Sequence, residues 1–154
     1  MNHWLLKSEP DTFSIDDLAA CPGKTTAWDG VRNFQARNML RDDFKKGDRA
    51  FFYHSSCPEP GIAGIVEVLG PGYPDATALD PHHAHHDPVG SADDPRWFVV
   101  DVRLARKFQR IVTLDELRAH AAGALRDLLI LRRGNRLSVT PVTRANWDFI
   151  LGLT

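Results

Sequence analysis

Between residues 28 and 38 the chain reads Trp28-Asp29-Gly30-Val31-Arg32-Asn33-Phe34-Gln35-Ala36-Arg37-Asn38, placing an indole, a turn glycine, two guanidinium groups and two asparagines where a loop runs into a helix. No carboxylate falls between Gly30 and Arg41, and the unpaired N–H groups of a helix start add partial positive charge, so anions are favoured at this junction. An indole stacks on planar groups, while asparagine and arginine make the paired hydrogen bonds that tell one nucleobase edge from another. Trp28 and Asn33 are therefore candidates for contact with a base, and Arg32 and Arg37 for contact with phosphate. The alternative for the same residues is a half-buried tryptophan packed beside a solvated helix.

Two other groupings carry chemistry-bearing side chains. His82-His83-Ala84-His85-His86 sits between Asp80 and Asp87, and imidazoles at that density can capture zinc or nickel. Ligands so close in sequence do not easily surround one ion, and a fixed site usually recruits a ligand from a second segment. The segment thus reads as a solvated loop, with no metal ligand assigned. Cys57 follows His54 by three residues, but catalytic thiol–imidazole pairs are normally assembled from distant segments with a third orienting group. Cys21 and Cys57 show no metal-ligand spacing and read as free thiols. Glu9 with His54 offers an acid and a base for a base-modifying enzyme. The zinc deaminase signature, a nucleophile elbow and a phosphate loop are all absent, which weighs against that enzyme, and no cofactor is assigned.

Elements must position these residues, and 154 residues suffice for one domain, 1–154, with a sizeable core. Hydrophobic residues at 43% and charged residues at 25% are ordinary for a globular chain. No run approaches the roughly 18 apolar residues of a membrane helix, and no secretory signal opens the chain, so a cytoplasmic or nuclear location is expected. The net charge of −1 argues against a protein that coats nucleic acid, yet residues 1–100 carry a net −6 and residues 101–154 a net +5. Fourteen of the 19 cations are arginine, the side chain suited to bidentate contact with phosphate and base edges. Were the arginines from Arg103 onward to line a cleft mouth, a polynucleotide is favoured; were they to point away, a small ligand is.

Local patterning predicts a strand over residues 3–7, stopped at Ser8-Glu9-Pro10, and a short helix opened by the Ser14-Ile15-Asp16-Asp17 capping box. A helix over 31–42 follows, with Asn33, Arg37 and Arg41 as one polar stripe. Strands at 49–55 and 61–69 read as a hairpin, and residues 70–95, rich in proline, histidine and aspartate, as a long surface loop with at most one helical turn. Alternation of Phe98, Val100, Val102 and Leu104 marks a strand over 97–107, and Thr113-Leu114-Asp115-Glu116 opens a helix to about residue 121. A strand over 136–142 and a helix capped by Thr143, burying Trp147 and Ile150, end the chain. Strands and helices do not alternate strictly, which predicts an α+β domain on a curved, partly closed barrel with its ligand at the mouth or in a cleft beside a helix.

Four motifs, read together, resemble the EVE domain family over essentially the whole chain: Leu5-Leu6-Lys7-Ser8-Glu9-Pro10, the run from Trp28 to Asn38, Gly47-Asp48 with Phe51-Phe52-Tyr53-His54-Ser55, and Arg136-Leu137-Ser138-Val139-Thr140-Pro141-Val142. The resemblance implies a PUA-like pseudobarrel, a curved mixed sheet flanked by helices, related to the YTH readers of methylated adenine. It implies a non-catalytic module that binds a nucleic acid carrying a modified base: modified cytosine in DNA, such as methylcytosine or hydroxymethylcytosine, or a modified base in RNA. Phe34 departs from the pattern, since many members have tyrosine there.

Such a pocket needs stacking faces, polar groups matched to the base edge and space for the added group. With the resemblance, Trp28 stacks on the base, Glu9 accepts from an exocyclic amine, Asn33 meets the ring edge, and Ser8, Ser55 and Ser138 receive the substituent. Asp29, Val31 and His54 join this base-binding set, with Trp97 as a second wall, and Lys7, Arg32 and Arg37 are assigned to phosphate. Asp29-Gly30 is also an ordinary turn pair, His54 also fits a hydrogen-bonded core position, and Trp97 also fits packing. A small metabolite held in the same cleft is the alternative from a different functional class.

Overall fold

The computed structural model describes residues 1–154. Eight strands, β1 (His3–Ser8), β2 (Thr25–Ala27), β3 (Arg49–His54), β4 (Gly61–Val68), β5 (Tyr73–Pro74), β6 (Phe98–Val99), β7 (Asp101–Thr113) and β8 (Val139–Val142), accompany four α-helices. The helices are α1 (Ile15–Ala20), α2 (Phe34–Asp42), α3 (Leu114–Arg118) and α4 (Arg144–Leu153), and none is long and apolar enough to cross a membrane. Six strands form one mixed sheet in the order β2-β7-β4-β3-β1-β8, and β5 pairs with β6 alone. Only β1 and β3 run parallel, in the register Leu5 to Phe51 and Lys7 to Tyr53. Irregularities in the β3–β4 and β4–β7 ladders bend the strands as bulges do, curling the sheet into a half-barrel.

The central strands are apolar on both faces, the pattern of strands covered on both sides. Trp4, Leu6, Ala50 and Phe52 pack with Ile15 and Leu18 of α1, Ala36 and Leu40 of α2, and Trp28. Leu5, Phe51 and Tyr53 point the other way, toward Leu117 of α3 and Trp147 and Ile150 of α4. Phe51 stacks on Trp147 at 3.9 Å between ring centroids. The cleft described below lies on the first face, at the C-terminal end of β1.

Local chemistry sets the ends of the elements. Ser14 and Asp17 form the expected capping box on α1, and Thr113 and Thr143 cap α3 and α4. Helix α2 starts at Phe34 and not at Val31, because Asn33 has extended backbone and its side chain accepts the Ala36 N–H, making it the cap. Only Arg37 and Arg41 of the expected polar stripe are therefore helical. Strand β8 begins at Val139, three residues later than its pattern, since the Asn135 side chain takes the Leu137 N–H in a local turn. Strand β7 runs on to Thr113 through the exposed Arg106 and Lys107, whose charges conceal the alternation. The long loop is tied down: Trp97 Nε1 donates to Asp87, and the Asp87 N–H donates to the Ala78 carbonyl at 2.8 Å.

Candidate functional site

A cleft of about 360 Å³ opens where the end of β1, the turn after it, β2 with the Trp28–Gly30 turn, and the histidine loop converge. Lys7 and Ser8 reach it from β1, Thr12 and Phe13 from the turn, and Thr26 and Ala27 from β2. Trp28, Asp29, Gly30, His83 and His85 complete the lining.

Each wall has a local cause. The Glu9 carbonyl accepts the N–H groups of Thr12 and Phe13 at 2.9 and 2.8 Å, folding the chain back after β1. Ser8 Oγ donates to the Phe13 carbonyl at 2.6 Å and fixes Phe13 over the strand end. The Trp28 ring meets Phe52 edge-on at 5.3 Å and Phe13 at 6.5 Å, so the indole is held rigidly with only 7% of its surface exposed. Burial draws the Lys7 pKa below its ordinary value, because a desolvated ammonium loses hydration. The cleft thus offers a poorly hydrated cation, two aromatic rings, and the hydroxyls of Ser8, Thr12 and Thr26.

The turn into α2 depends on Asp75, which is buried at 3% exposure. Its carboxylate accepts from the Gly30 N–H at 3.2 Å, from Arg32 at 3.0 Å, and from the Thr77 N–H and hydroxyl at 2.9 and 2.6 Å. Burial acts to raise its pKa, but the hydrogen bonds from Thr77, Gly30 and Arg32 outweigh burial and hold it below the ordinary value. Gly30 has φ +76°, and a Cβ there would lie 2.6 Å from the His85 ring. Glycine is thus required both for the left-handed backbone and for the close approach of the imidazole.

Of the residues expected from the sequence, Lys7, Ser8, Trp28 and Asp29 come together in the cleft. Glu9 is exposed at the turn leading into it. Ser55 and Ser138 flank the end of β1 through their backbones, the Ser55 N–H donating to the Ser8 carbonyl and the Ser138 carbonyl accepting from the Lys7 N–H, each at 2.9 Å. Val31 is packed in the core. His54 Nε2 accepts the Ile15 N–H at 3.2 Å, serving the start of α1. Asn33 spends its carbonyl oxygen on the α2 cap.

The expected phosphate ligands and the second wall are also occupied. All three guanidinium nitrogens of Arg32 bond within the protein, to the carbonyls of His85 and Val31 and to Asp75. Arg37 lies over the Phe34 ring and donates to Asn38 and to the Arg96 carbonyl. Trp97 stacks on Phe34 at 4.9 Å, and Arg32 and Arg96 lie over the Trp97 ring at 5.4 and 5.8 Å. It forms a cation–aromatic layer beside the cleft and is absent from the cleft lining.

No arginine from Arg103 onward lines the cleft, and several are paired elsewhere: Arg103 with Glu67, and Arg110 with Glu116. Sequence reasoning missed Thr12, Phe13 and Thr26, whose short turn and three-residue strand carry no periodic signal. It also set His83 and His85 aside in a solvated loop. The compatible signal was Gly30, whose missing side chain admits the His85 ring.

Comparison with known proteins identifies the family and the fold. The EVE domain profile matches residues 2–153. Human thymocyte nuclear protein 1 is 46% identical over 167 residues, spanning 99% of this chain and 73% of that protein. The crystal structure of human THYN1 in complex with 5-methylcytosine-containing DNA superposes with a TM-score of 0.93 at 45% identity, covering 99% of this chain and 97% of that one. Pseudomonas syringae protein PSPTO5229 gives a TM-score of 0.92 at 47% identity, covering 98% of both chains. With a family match and a common fold over nearly its full length, the chain belongs to the EVE domain family.

Proposed function

We propose that this protein is a non-catalytic reader of modified cytosine in DNA, holding the base in the cleft lined by Lys7, Ser8, Phe13, Trp28 and Asp29. The observation that carries the reading is the cleft itself, in a fold shared at a TM-score of 0.93 with a relative crystallised on 5-methylcytosine-containing DNA. A base inside a duplex cannot reach a cleft of this kind, so recognition requires that it be turned out of the stack and received between aromatic and polar walls. Trp28 supplies the stacking face, a contact of about 1–3 kcal/mol per base. Lys7, Ser8, Thr26 and Asp29 supply donors and acceptors for the base edge, and Glu9 stands at the rim for an exocyclic amine.

A small metabolite in the same cleft is the second reading, favoured by the absence of any arginine from Arg103 onward in the lining. Calorimetric titration at fixed salt with matched single- and double-stranded DNA and RNA, unmodified or carrying methylcytosine, hydroxymethylcytosine or methylated adenine, separates them. Selective binding of methylcytosine DNA is the expected result. Trp28→Phe, which keeps an aromatic ring in the core, should weaken that binding, and Lys7→Met should weaken it further by removing the cleft's cation. Equal binding of every oligonucleotide overturns the reader function, and failure to bind any of them moves the metabolite reading to first place. RNA selectivity would reassign the polymer.

A further inference from the structure

The histidine loop and the Trp28–Gly30 turn are far apart in the sequence, yet Asp29, His83 and His85 offer ligand atoms that all lie within 4.8 Å of one another. His85 Nδ1 is shielded from solvent and has no hydrogen-bond partner. Its nearest carboxylate oxygen, Asp29 Oδ1, is 3.8 Å away, too far for a hydrogen bond. Metal bonds of roughly 2.0–2.2 Å to nitrogen and oxygen put neighbouring ligands of a tetrahedral ion about 3.4 Å apart, so this spacing fits two ligands of one ion after a small contraction. His83 Nδ1 accepts the His85 N–H at 3.0 Å. That nitrogen therefore carries a lone pair, for which an incoming ion competes with the amide.

The backbone prepares the arrangement without an ion. Arg32 grips the His85 carbonyl through two nitrogens at 2.6 and 3.2 Å, and Gly30 leaves room for the His85 ring against the turn. An ion could otherwise be caught by the exposed His82 and His86, but neighbouring imidazoles alone lack the second segment that a fixed site needs. Asp29 is that second segment.

We propose that Asp29, His83 and His85 form a site for one divalent transition ion, with Zn²⁺ as the best match to two imidazoles and a carboxylate. The ion fastens the loop to the Trp28–Gly30 turn and becomes part of the cleft wall, leaving a fourth position open to water. The site shares Asp29 with the proposed base-edge contacts, and its test reads the ion alone, in the absence of nucleic acid.

Titration of the untagged protein with Zn²⁺ against a chromophoric chelator, with Co²⁺ absorption as a report of geometry, tests it. One Zn²⁺ per chain is expected, with a rise in Tm. Asp29→Asn and His85→Ala should each weaken binding by at least the roughly 10-fold that loss of an outer-shell partner costs. The double variant His82→Ala/His86→Ala should bind as wild type does. Asp29→Asn is isosteric at an exposed position, so its result does not depend on refolding. Wild-type affinity in Asp29→Asn, loss of affinity in the His82/His86 variant, or no saturable Zn²⁺ binding would each overturn the site.

Discussion

At the scale of single residues, the cleft depends on one side chain that never touches it. Asp75 receives four hydrogen bonds from three residues and fixes both the Gly30 turn and Arg32, which in turn holds the His85 carbonyl. Asparagine keeps its shape but replaces one acceptor oxygen with a donor that faces other donors. Asp75→Asn should cost roughly 2–4 kcal/mol of stability, since the partly exposed Arg32 guanidinium loses its ion-pair partner and buried N–H groups are left unpaired. Chemical denaturation measures it, and a cost below about 0.5 kcal/mol, the scatter of neutral surface changes, would remove Asp75 from this role. Trp28 carries a different lesson. At 7% exposure it belongs to the core as much as to the cleft, and Trp28→Ala should cost about 3–5 kcal/mol, which would mask any effect on binding.

Among the elements, α1 is coupled to β3 through the imidazole of His54. His54 Nε2 accepts the first amide of α1, which only a neutral imidazole can do. Burial, partly opposed by Asp16, holds the His54 pKa below its ordinary value of 6.5. The unfolded chain then binds more protons than the folded one as pH falls below 6.5, so stability is complete above that value and declines beneath it. His3 is shifted in the same direction, by burial and then by Arg144, and adds to the decline. His54→Gln retains an acceptor and does not titrate. Its Tm should fall less than that of wild type between pH 7.5 and 5.5, leaving the part due to His3. An unchanged pH profile would mean that the imidazole does not support α1.

For the whole molecule, the question is where a charged polymer can lie. The arginine-rich second half does not deliver charge to the cleft, and Arg103, Lys107 and Arg110 face Glu67, Asp16 and Glu116. Arg32, beside the cleft, is consumed by Asp75 and the His85 carbonyl, which leaves Lys7, within the cleft, and Arg37 and Arg96, which flank the half-exposed Phe34 ring. If DNA is bound by these three, the slope of log affinity against log salt should be about −2 to −3, and Arg37→Ala should reduce its size by about one. A slope near zero would show that phosphate contributes nothing and favour a small ligand. The sequence by itself determined the helix caps at Ser14, Thr113 and Thr143, the hairpin strands at 49–55 and 61–69 and the motifs of the family, because these follow from short-range hydrogen bonding, residue propensity and residue identity. It also marked Lys7, Ser8, Trp28 and Asp29, which do share one cleft. Only the tertiary structure decided that Asn33 and His54 serve helix starts, that Arg32 is consumed by Asp75 and His85, that Trp97 stacks on Phe34, and that two loop histidines stand beside Asp29. Those outcomes depend on which distant donors and acceptors chain folding brings within about 3 Å of one another, and spacing along the sequence carries no record of that.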